Sequence, residues 1–424
     1  MRLVFLLVFM APQVLSYLYL NERLPDPRRP RQARLVRATL ALVFAVCNAP
    51  WVLVAHRVLF GTVWGISRIP FTAPWIAWQL LGWLFCAAVV VYLVGKGLLS
   101  LVGRFERRRM GRVDRVVAWE LSTDPAARLS RRAFFARATY SYAAAGAALS
   151  TYGIWSAYRM PEVTRRTLWF SGLPAGLDGI RVLHLSDLHA GVHLGEEKMR
   201  AIVAQANALE PDLIVQTGDM IDISPEFIAP FVRTFRDLRA PLGCVTVLGN
   251  HDHYTGAAAV ARGVRDAGQI LVTNDCRVIE RNGAVLALLG IDDPDNWIAD
   301  DPQPTFVDRA LGAAPPEAFK LLLAHRPGAW DTAAPRGIEL TLAGHIHGGQ
   351  IYLPILGWSA GRLITKYVMG HFQRGASQLY VSRGIGVVGV PIRLFVPPEI
   401  ALLELRRAPQ VAGRSGATVG SPTV

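Results

Sequence analysis

Apolar positions along this 424-residue chain follow two regimes. In the first, long runs with almost no charge stand at residues 3–20, 38–54 and 71–94, and a weaker one at 138–157. Each of the first three approaches the ~20 apolar residues that a helix needs to cross a bilayer. Tyr17, Tyr19, Trp51, Trp64, Trp75 and Trp78 accompany them, as interfacial aromatics do. In the second regime the runs shorten to strand length and alternate with helical spacing. Ile180–Leu185 is followed by 196–209, where Met199, Ile202, Val203 and Ala206 recur at helical intervals. Pro211 ends that helix, and strand 213–215, helix 227–238, strand 244–248 and helix 257–267 continue the alternation. Residues 270–272, 277–280 and 284–289 read as strands around an Asn282-Gly283 turn, with later strands at 321–324, 340–342, 378–381 and 399–405. This mixture predicts an α/β (α+β) domain of two packed sheets with helices outside, preceded by about four transmembrane helices. The expected division is a membrane region over 1–158, a linker over 159–178, the sheet domain over 179–406 and a disordered tail over 407–424.

The formal charge of +13 would suit a nucleic-acid binder, but its location removes that reading. Residues 1–170 carry 23 Lys and Arg against 7 Asp and Glu, whereas the remainder carries 22 against 25. The sheet domain therefore lacks a basic surface suited to a phosphate backbone, and no nucleic-acid partner is expected. The excess marks membrane topology instead. Arg23, Arg28, Arg29, Arg31, Arg34 and Arg37 separate the first two spans, eleven basic residues lie from Lys96 to Arg137, and only Arg57 and Arg68 lie between the second and third spans. By the positive-inside rule both Arg-rich loops are cytoplasmic, which puts the sheet domain on the periplasmic side of a multi-pass protein of the cytoplasmic (inner) membrane. Ser130-Arg131-Arg132-Ala133-Phe134-Phe135 before the Ala/Gly-rich run 140–148 resembles a twin-arginine export signal, so that export machinery is an expected partner. Cys47 and Cys86 fall in the spans; Cys244 reads as a core residue, with a bridge to Cys276 left open.

Seven residues of metal-binding type stand in five clusters, each just after an apolar strand. They are Asp187 and His189, Asp219, Asn250, His325, and then His345 and His347. Donors beyond the carboxyl ends of several core strands converge on one crevice. Oxygen and nitrogen donors without thiolate suit Mn, Fe or Zn. Singly, each histidine is more often a core or surface residue, and His184 is read as core, with His193, His253 and His371 also outside the ligand set. Asp252 is read as a loop support, and Asp292 and Asp293 as turn residues.

The order Asp187-Leu188-His189, Gly218-Asp219, Gly249-Asn250-His251-Asp252, His325, Gly344-His345-Ile346-His347 is similar to that of the calcineurin-like metallophosphoesterases. Gly348-Gly349-Gln350 and the ending Pro391-Ile392-Arg393 … Pro397-Pro398-Glu399 resemble a membrane-anchored bacterial branch, some of whose members carry twin-arginine signals. The resemblance covers about 179–404 and implies a four-layer double β-sandwich flanked by helices. It implies two divalent ions, one on Asp187, His189, Asp219 and His347, the other on Asp219, Asn250, His325 and His345, with Asp219 lending an oxygen to each. His251 would act at the leaving oxygen, a role imidazole suits near neutral pH. The expected activity is two-metal hydrolysis of phosphomonoesters, diesters or pyrophosphates, with phospholipids and envelope-linked phosphates among the candidate substrates. Residues 351–356 and 387–396 are read as core, lipid contact being the other reading. A membrane sensor or scaffold that binds a phosphorylated ligand without turnover is the alternative function. A channel is disfavoured because the spans lack paired charges. An alkaline phosphatase reporter fused near residue 405 should be active outside the cytoplasm; activity confined to a cytoplasmic reporter would overturn the topology.

Overall fold

The computed structural model describes residues 13–21, 30–48, 145–146, 148–293, 304–389 and 391–409. The chain divides into two compact units, Met1–Tyr152 and Gly153–Val424. In the first unit, residues 13–21 and Pro30–Asn48 are helical. Pro30 suits a helix start, because its missing N–H would have no partner in the first turn. Arg31, Arg34 and Arg37, expected in a loop, lie inside this helix. Among the described residues no helix is long and apolar enough to cross a membrane. The expected spans 3–20 and 38–54 run past the described helices, while 71–94 and the twin-arginine-like Ser130–Phe135 lie outside the described residues.

The second unit carries strands β1 (Glu162–Phe170), β2 (Ile180–Leu185), β3 (Leu213–Thr217), β4 (Cys244–Val247), β5 (Ile270–Leu271), β6 (Asp275–Arg281) and β7 (Ala284–Gly290). They continue with β8 (Phe319–Leu323), β9 (Leu340–Ala343), β10 (Tyr352–Leu353), β11 (Trp358–Ser359), β12 (Gly370–Arg374), β13 (Ser377–Val381) and β14 (Glu399–Arg407). Its helices are α1 (Glu196–Asn207), α2 (Ile228–Phe235), α3 (Asn250–Asp266), α4 (Pro304–Gly312) and α5 (Ala329–Ala333). One sheet has the order β1-β14-β2-β3-β4-β5, the other β12-β13-β9-β8-β7-β6, and β10 and β11 form a small hairpin.

Alternation along the strands explains the layering. Ile180 and Val182 of β2 face the core between the sheets, where they join Leu288, Leu321, Leu342 and Leu403, while Leu183 and Leu185 face outward. The outward side is covered by Met199, Ile202 and Ala206 of α1, Phe231 and Phe235 of α2 and Val260 and Val264 of α3. On the second sheet Leu289 and Leu322 pack outward against Val307 and Ala310 of α4 and Ala329 and Ala333 of α5. The result is four layers, with helices outside two sheets.

The stretch 159–178, expected as a linker, contains β1, which runs parallel to β14 from Glu162 opposite Glu399 to Phe170 opposite Arg407. It is an edge strand, so its middle residues stay exposed and only Leu168 and Phe170 join the core; Phe170 meets Phe319 edge to face at 5.1 Å. At the other end β14 extends to Arg407, one residue into the expected tail. Cys244 and Cys276 are free thiols. Truncating Leu168 to Ala should cost about 2–5 kcal/mol in chemical unfolding, as for other buried leucines. A change within about 0.5 kcal/mol, the range of an exposed position, would return the segment to a linker.

Candidate metal centre

Six of the seven expected ligands sit in turns that leave strand ends, and the seventh, Asn250, begins a helix. Asp187 and His189 follow β2, Asp219 follows β3, Asn250 opens α3 after β4, His325 follows β8, and His345 and His347 follow β9. Five of them hold left-handed backbone conformations: Asp187 at φ 52°, His189 at 47°, Asp219 at 55°, His345 at 71° and His347 at 51°. Such conformations cost roughly 1–3 kcal/mol each for residues with a Cβ and persist where surrounding structure dictates them. Here the dictation is visible. Asp187 N–H donates to Gly218 O at 3.1 Å, His189 N–H to Asp219 O at 2.9 Å, and Gly344 N–H to His325 O at 2.9 Å. A Cβ on Gly344 would strike the Asp187 carboxylate, and one on Gly249 the Asp219 carboxylate, so both positions require glycine.

The side chains form two joined clusters. In one, His189 Nε2 and His347 Nε2 approach to 3.1 Å, with Asp187 Oδ1 3.3 Å from His347 and Asp219 Oδ2 3.4 Å from His189. In the other, His325 Nε2 lies 3.0 Å from Asn250 Oδ1, 3.1 Å from His345 Nδ1 and 3.2 Å from Asp219 Oδ2. The opposite nitrogen of His325, Nδ1, is 2.8 Å from Thr217 O and donates to it, which turns Nε2 toward the cluster. One proton on Nε2 can serve only one of the three acceptors that converge there. A divalent cation would satisfy all of them, and the donor set therefore fits a metal ion. Asp219 uses Oδ2 toward both clusters, because Oδ1 accepts the His251 N–H at 2.8 Å. In this arrangement a single oxygen faces both clusters, where the resemblance implied one oxygen for each site.

Electrostatics follow from burial and pairing. Burial alone would raise the Asp187 and Asp219 carboxyls, but His347 beside the first and His325 beside the second hold both below the usual range. Burial disfavours charge on His325, yet Asp219 outweighs it and lifts its pKa to about 10. Burial lowers His345 to about 3 and His347 to about 4, so these two imidazoles are neutral and available as ligands.

His251 is brought to the clusters without joining the ligand pairs, and its Nδ1 lies 2.7 Å from Asp222 O and 3.2 Å from Asp222 Oδ1. Although burial opposes it, the bond to Asp222 raises this imidazole to about 9. Asp222 had no place in the sequence reading, and no motif in its local sequence marks it. Its carboxylate also lies 3.5 Å from His189 Nδ1 and makes a third group with His189 and His251. Arg393, read only as part of a sequence ending, is fully buried, reaches His347 Nδ1 at 3.1 Å and donates to Arg383 O at 2.9 Å and Gly384 O at 3.1 Å.

The remaining candidates sort cleanly. His184 is buried in β2 and bonded to Thr217 Oγ1 at 2.8 Å, as a core residue. His193 meets Tyr158, His371 meets Gln378 and His253 meets Asp292, each at 2.8 Å and none in a cluster. Asp252 accepts Gly249 N–H at 2.9 Å and Ile221 N–H at 3.1 Å, and burial lifts its carboxyl to about 7. Asp293 takes Arg326 Nε at 2.9 Å, so this turn positions a cation of the cleft wall. The cleft above the clusters measures about 790 Å³ and is lined by Asp219, Asn250, His251, His345 and His347 on its floor and by Arg326, Ile364 and Lys366 on its walls. A second cleft of about 780 Å³, beside Arg181 and Asp212, contains none of these ligands.

A family model for calcineurin-like phosphoesterases matches residues 180–349. The chain is similar to a metallophosphoesterase of Bacillus subtilis named YkuE, at 31% identity over 293 residues that cover 66% of this chain and 98% of that protein. It is 28% identical over 378 residues to a Bos taurus transmembrane protein with metallophosphoesterase domain, covering 85% and 80% respectively. A metallophosphoesterase of Aquifex aeolicus is 28% identical over 246 residues, 58% of this chain and 92% of that protein. Ligand linkage gives a direct check on the clusters: Mn at 100 times its Kd should stabilise the fold by about 2.7 kcal/mol, read as a rise in Tm. Asp219→Ala should lose most of this rise; an unchanged Tm on adding Mn, Fe or Zn to the metal-free protein would count against the centre.

Proposed function

This chain belongs to the calcineurin-like metallophosphoesterase family and is a metal-dependent phosphoric ester hydrolase, and from that premise we propose that Asp187, His189, Asp219 and His347 hold one divalent cation while Asp219, Asn250, His325 and His345 hold a second. The carrying observation is the single Asp219 oxygen that lies 3.4 Å from His189 Nε2 and 3.2 Å from His325 Nε2. Mn, Fe or Zn fits the nitrogen and oxygen donors. Such ions supply Lewis acidity toward a phosphoryl oxygen and a lowered pKa for bound water.

The protein's own groups do the rest. His251 commits Nδ1 to Asp222, which leaves Nε2 as the ring nitrogen that gives a proton to the leaving oxygen. Asp222 and the Asp219 charge keep that proton on the ring until about pH 9. Arg326, fixed by Asp293, and Lys366 line the cleft and attract an anionic ester. The substrate is a phosphomonoester, phosphodiester or pyrophosphate, with phospholipids and envelope-linked phosphates as the preferred class. Its place outside the cytoplasmic membrane rests on the arginine distribution and the twin-arginine-like Ser130–Phe135. The bovine relative is named a transmembrane protein, which supports membrane attachment.

With Mn bound, the full chain should hydrolyse an aryl phosphodiester, and His251→Ala should lower kcat by about 10²–10⁴-fold with little change in KM. The loss should be smaller for a nitrophenyl ester than for an alkyl ester, since nitrophenolate leaves without needing a proton. Equal losses on both esters would remove the general-acid role, and no hydrolysis with Mn, Fe or Zn would remove the two-metal reading.

A further inference from the structure

Beyond the metal floor, the cleft has an unusual rim. Between Ile351 and Lys366 the chain leaves the domain as the β10–β11 hairpin and a following turn. Ile355 at the hairpin tip is 98% exposed, Leu356 72%, Leu363 80% and Ile364 63%. Side chains of this size, grouped within ten residues, make a surface patch of the kind that marks an interaction site. Ile364 also lines the metal cleft, so the patch and the site share an edge.

Charge and attachment say what covers it. No Asp or Glu occurs from His345 to Pro398, and of the cations in that stretch Arg362, Lys366 and Arg374 are exposed. Lys366 and Arg374 both pair with Asp331, at 3.0 and 2.8 Å, so two cations share one anion there, and the exposed Arg362 adds to the surplus. The base of the excursion is tied to Gly153, which lies in the last part of the fourth apolar run of the sequence. Arg393 N–H donates to Gly153 O at 2.9 Å, Gly153 packs on Ile392 and Leu394, and Tyr352 N–H donates to Leu394 O at 2.9 Å. Shortly after Gly153, Trp155 is 57% exposed and Tyr158 45%. Exposed amphipathic aromatics, exposed apolar side chains and excess basic charge are the composition of a surface that lies in a headgroup layer.

We infer that this rim is a membrane-seating surface, which rests on an anionic phospholipid bilayer and turns the metal cleft toward the headgroups. The inference deepens the reading of the cleft as a phosphoester site, since it places a bilayer phosphoester within reach of the metals. Isolated esters in bulk water would need no such rim.

Backbone amide exchange of the full-length protein on lipid nanodiscs tests it without turnover. Exchange in 351–366 should slow by about tenfold or more on phosphatidylcholine–phosphatidylglycerol discs relative to phosphatidylcholine alone, as buried loop amides do. The Ile355→Asp, Leu363→Asp double variant should lose the slowing while β2 and β9 keep theirs, which shows the fold intact. Equal exchange on both lipids would overturn the inference. So would protection that arises without lipid and grows with protein concentration, since that assigns the patch to a second copy of the chain. Protection by anionic lipid in a protein that hydrolyses no aryl ester would uphold the seating and sink only the hydrolase reading.

Discussion

One oxygen atom organises this domain. Asp219 Oδ2 lies within 3.4 Å of His189 Nε2 and 3.2 Å of His325 Nε2, imidazoles that come from turns after β2 and β8, on different sheets. Its partner oxygen is pinned by the His251 amide, so the carboxylate cannot rotate away from this shared position. The four-layer stack serves the same end. Two sheets packed through apolar inner faces bring their strand ends together, and each strand contributes one turn whose backbone is bent enough to aim a side chain inward. The left-handed residues at Asp187, His189, Asp219, His345 and His347 are where the strain of that aiming is stored.

Strain at these turns explains the glycines beside them. Gly249 and Gly344 lie so close to the Asp219 and Asp187 carboxylates that any side chain would displace a ligand. Below the ligands a buried polar layer, His184 to Thr217 to Ser186 to Asp187, with bonds of 2.8, 2.7 and 2.6 Å, holds the first carboxylate in place. Arg393 does the same from the other side by binding backbone carbonyls of the turn 383–386. Polar groups buried in such number are tolerated only when nearly all are paired, since an unpaired one costs roughly 1–3 kcal/mol.

The seven candidate donors were legible as one group because each follows a buried, mostly apolar strand. Ile180–Leu185 and Leu340–Ala343 lie between the other sheet and a covering layer, and their sequences show it as mostly apolar runs, interrupted at Arg181, His184 and Thr341. β1 was not legible for the opposite reason. An edge strand buries only part of its length, and Glu162–Phe170, with two arginines at its centre, has the composition of a linker. Asp222 escaped because its role is to orient His251 and His189, a task that leaves no motif of its own in the local sequence. Apolarity also misled at 351–356: the same composition that reads as core in 387–396, where Val387 and Val396 are buried, reads as surface at Ile355 and Leu356. Periodicity cannot separate these cases, because a hairpin tip that contacts an apolar medium is composed like a core strand.

The alternative of a ligand-binding scaffold that never turns over meets a physical objection. A scaffold needs charge complementarity to a phosphate, and Arg326 and Lys366 on the cleft wall would supply it. It would not need several carboxylates closed off from water. Burial pushes against the ionised form of Asp187, Asp219 and Asp222, and only neighbouring imidazoles hold them charged. At Asp252, where burial and the neighbouring Asp219 charge prevail, the carboxyl rises to about 7. Five strained residues in three turns, at roughly 1–3 kcal/mol each, add to that burden on the apo fold. Opposing costs of this kind are recovered when cations occupy the clusters, because each imidazole then gives a lone pair and each carboxylate keeps its charge. His251, held by Asp222 beside those clusters and in neither set, stands where the proposed proton donor to a leaving oxygen would be needed.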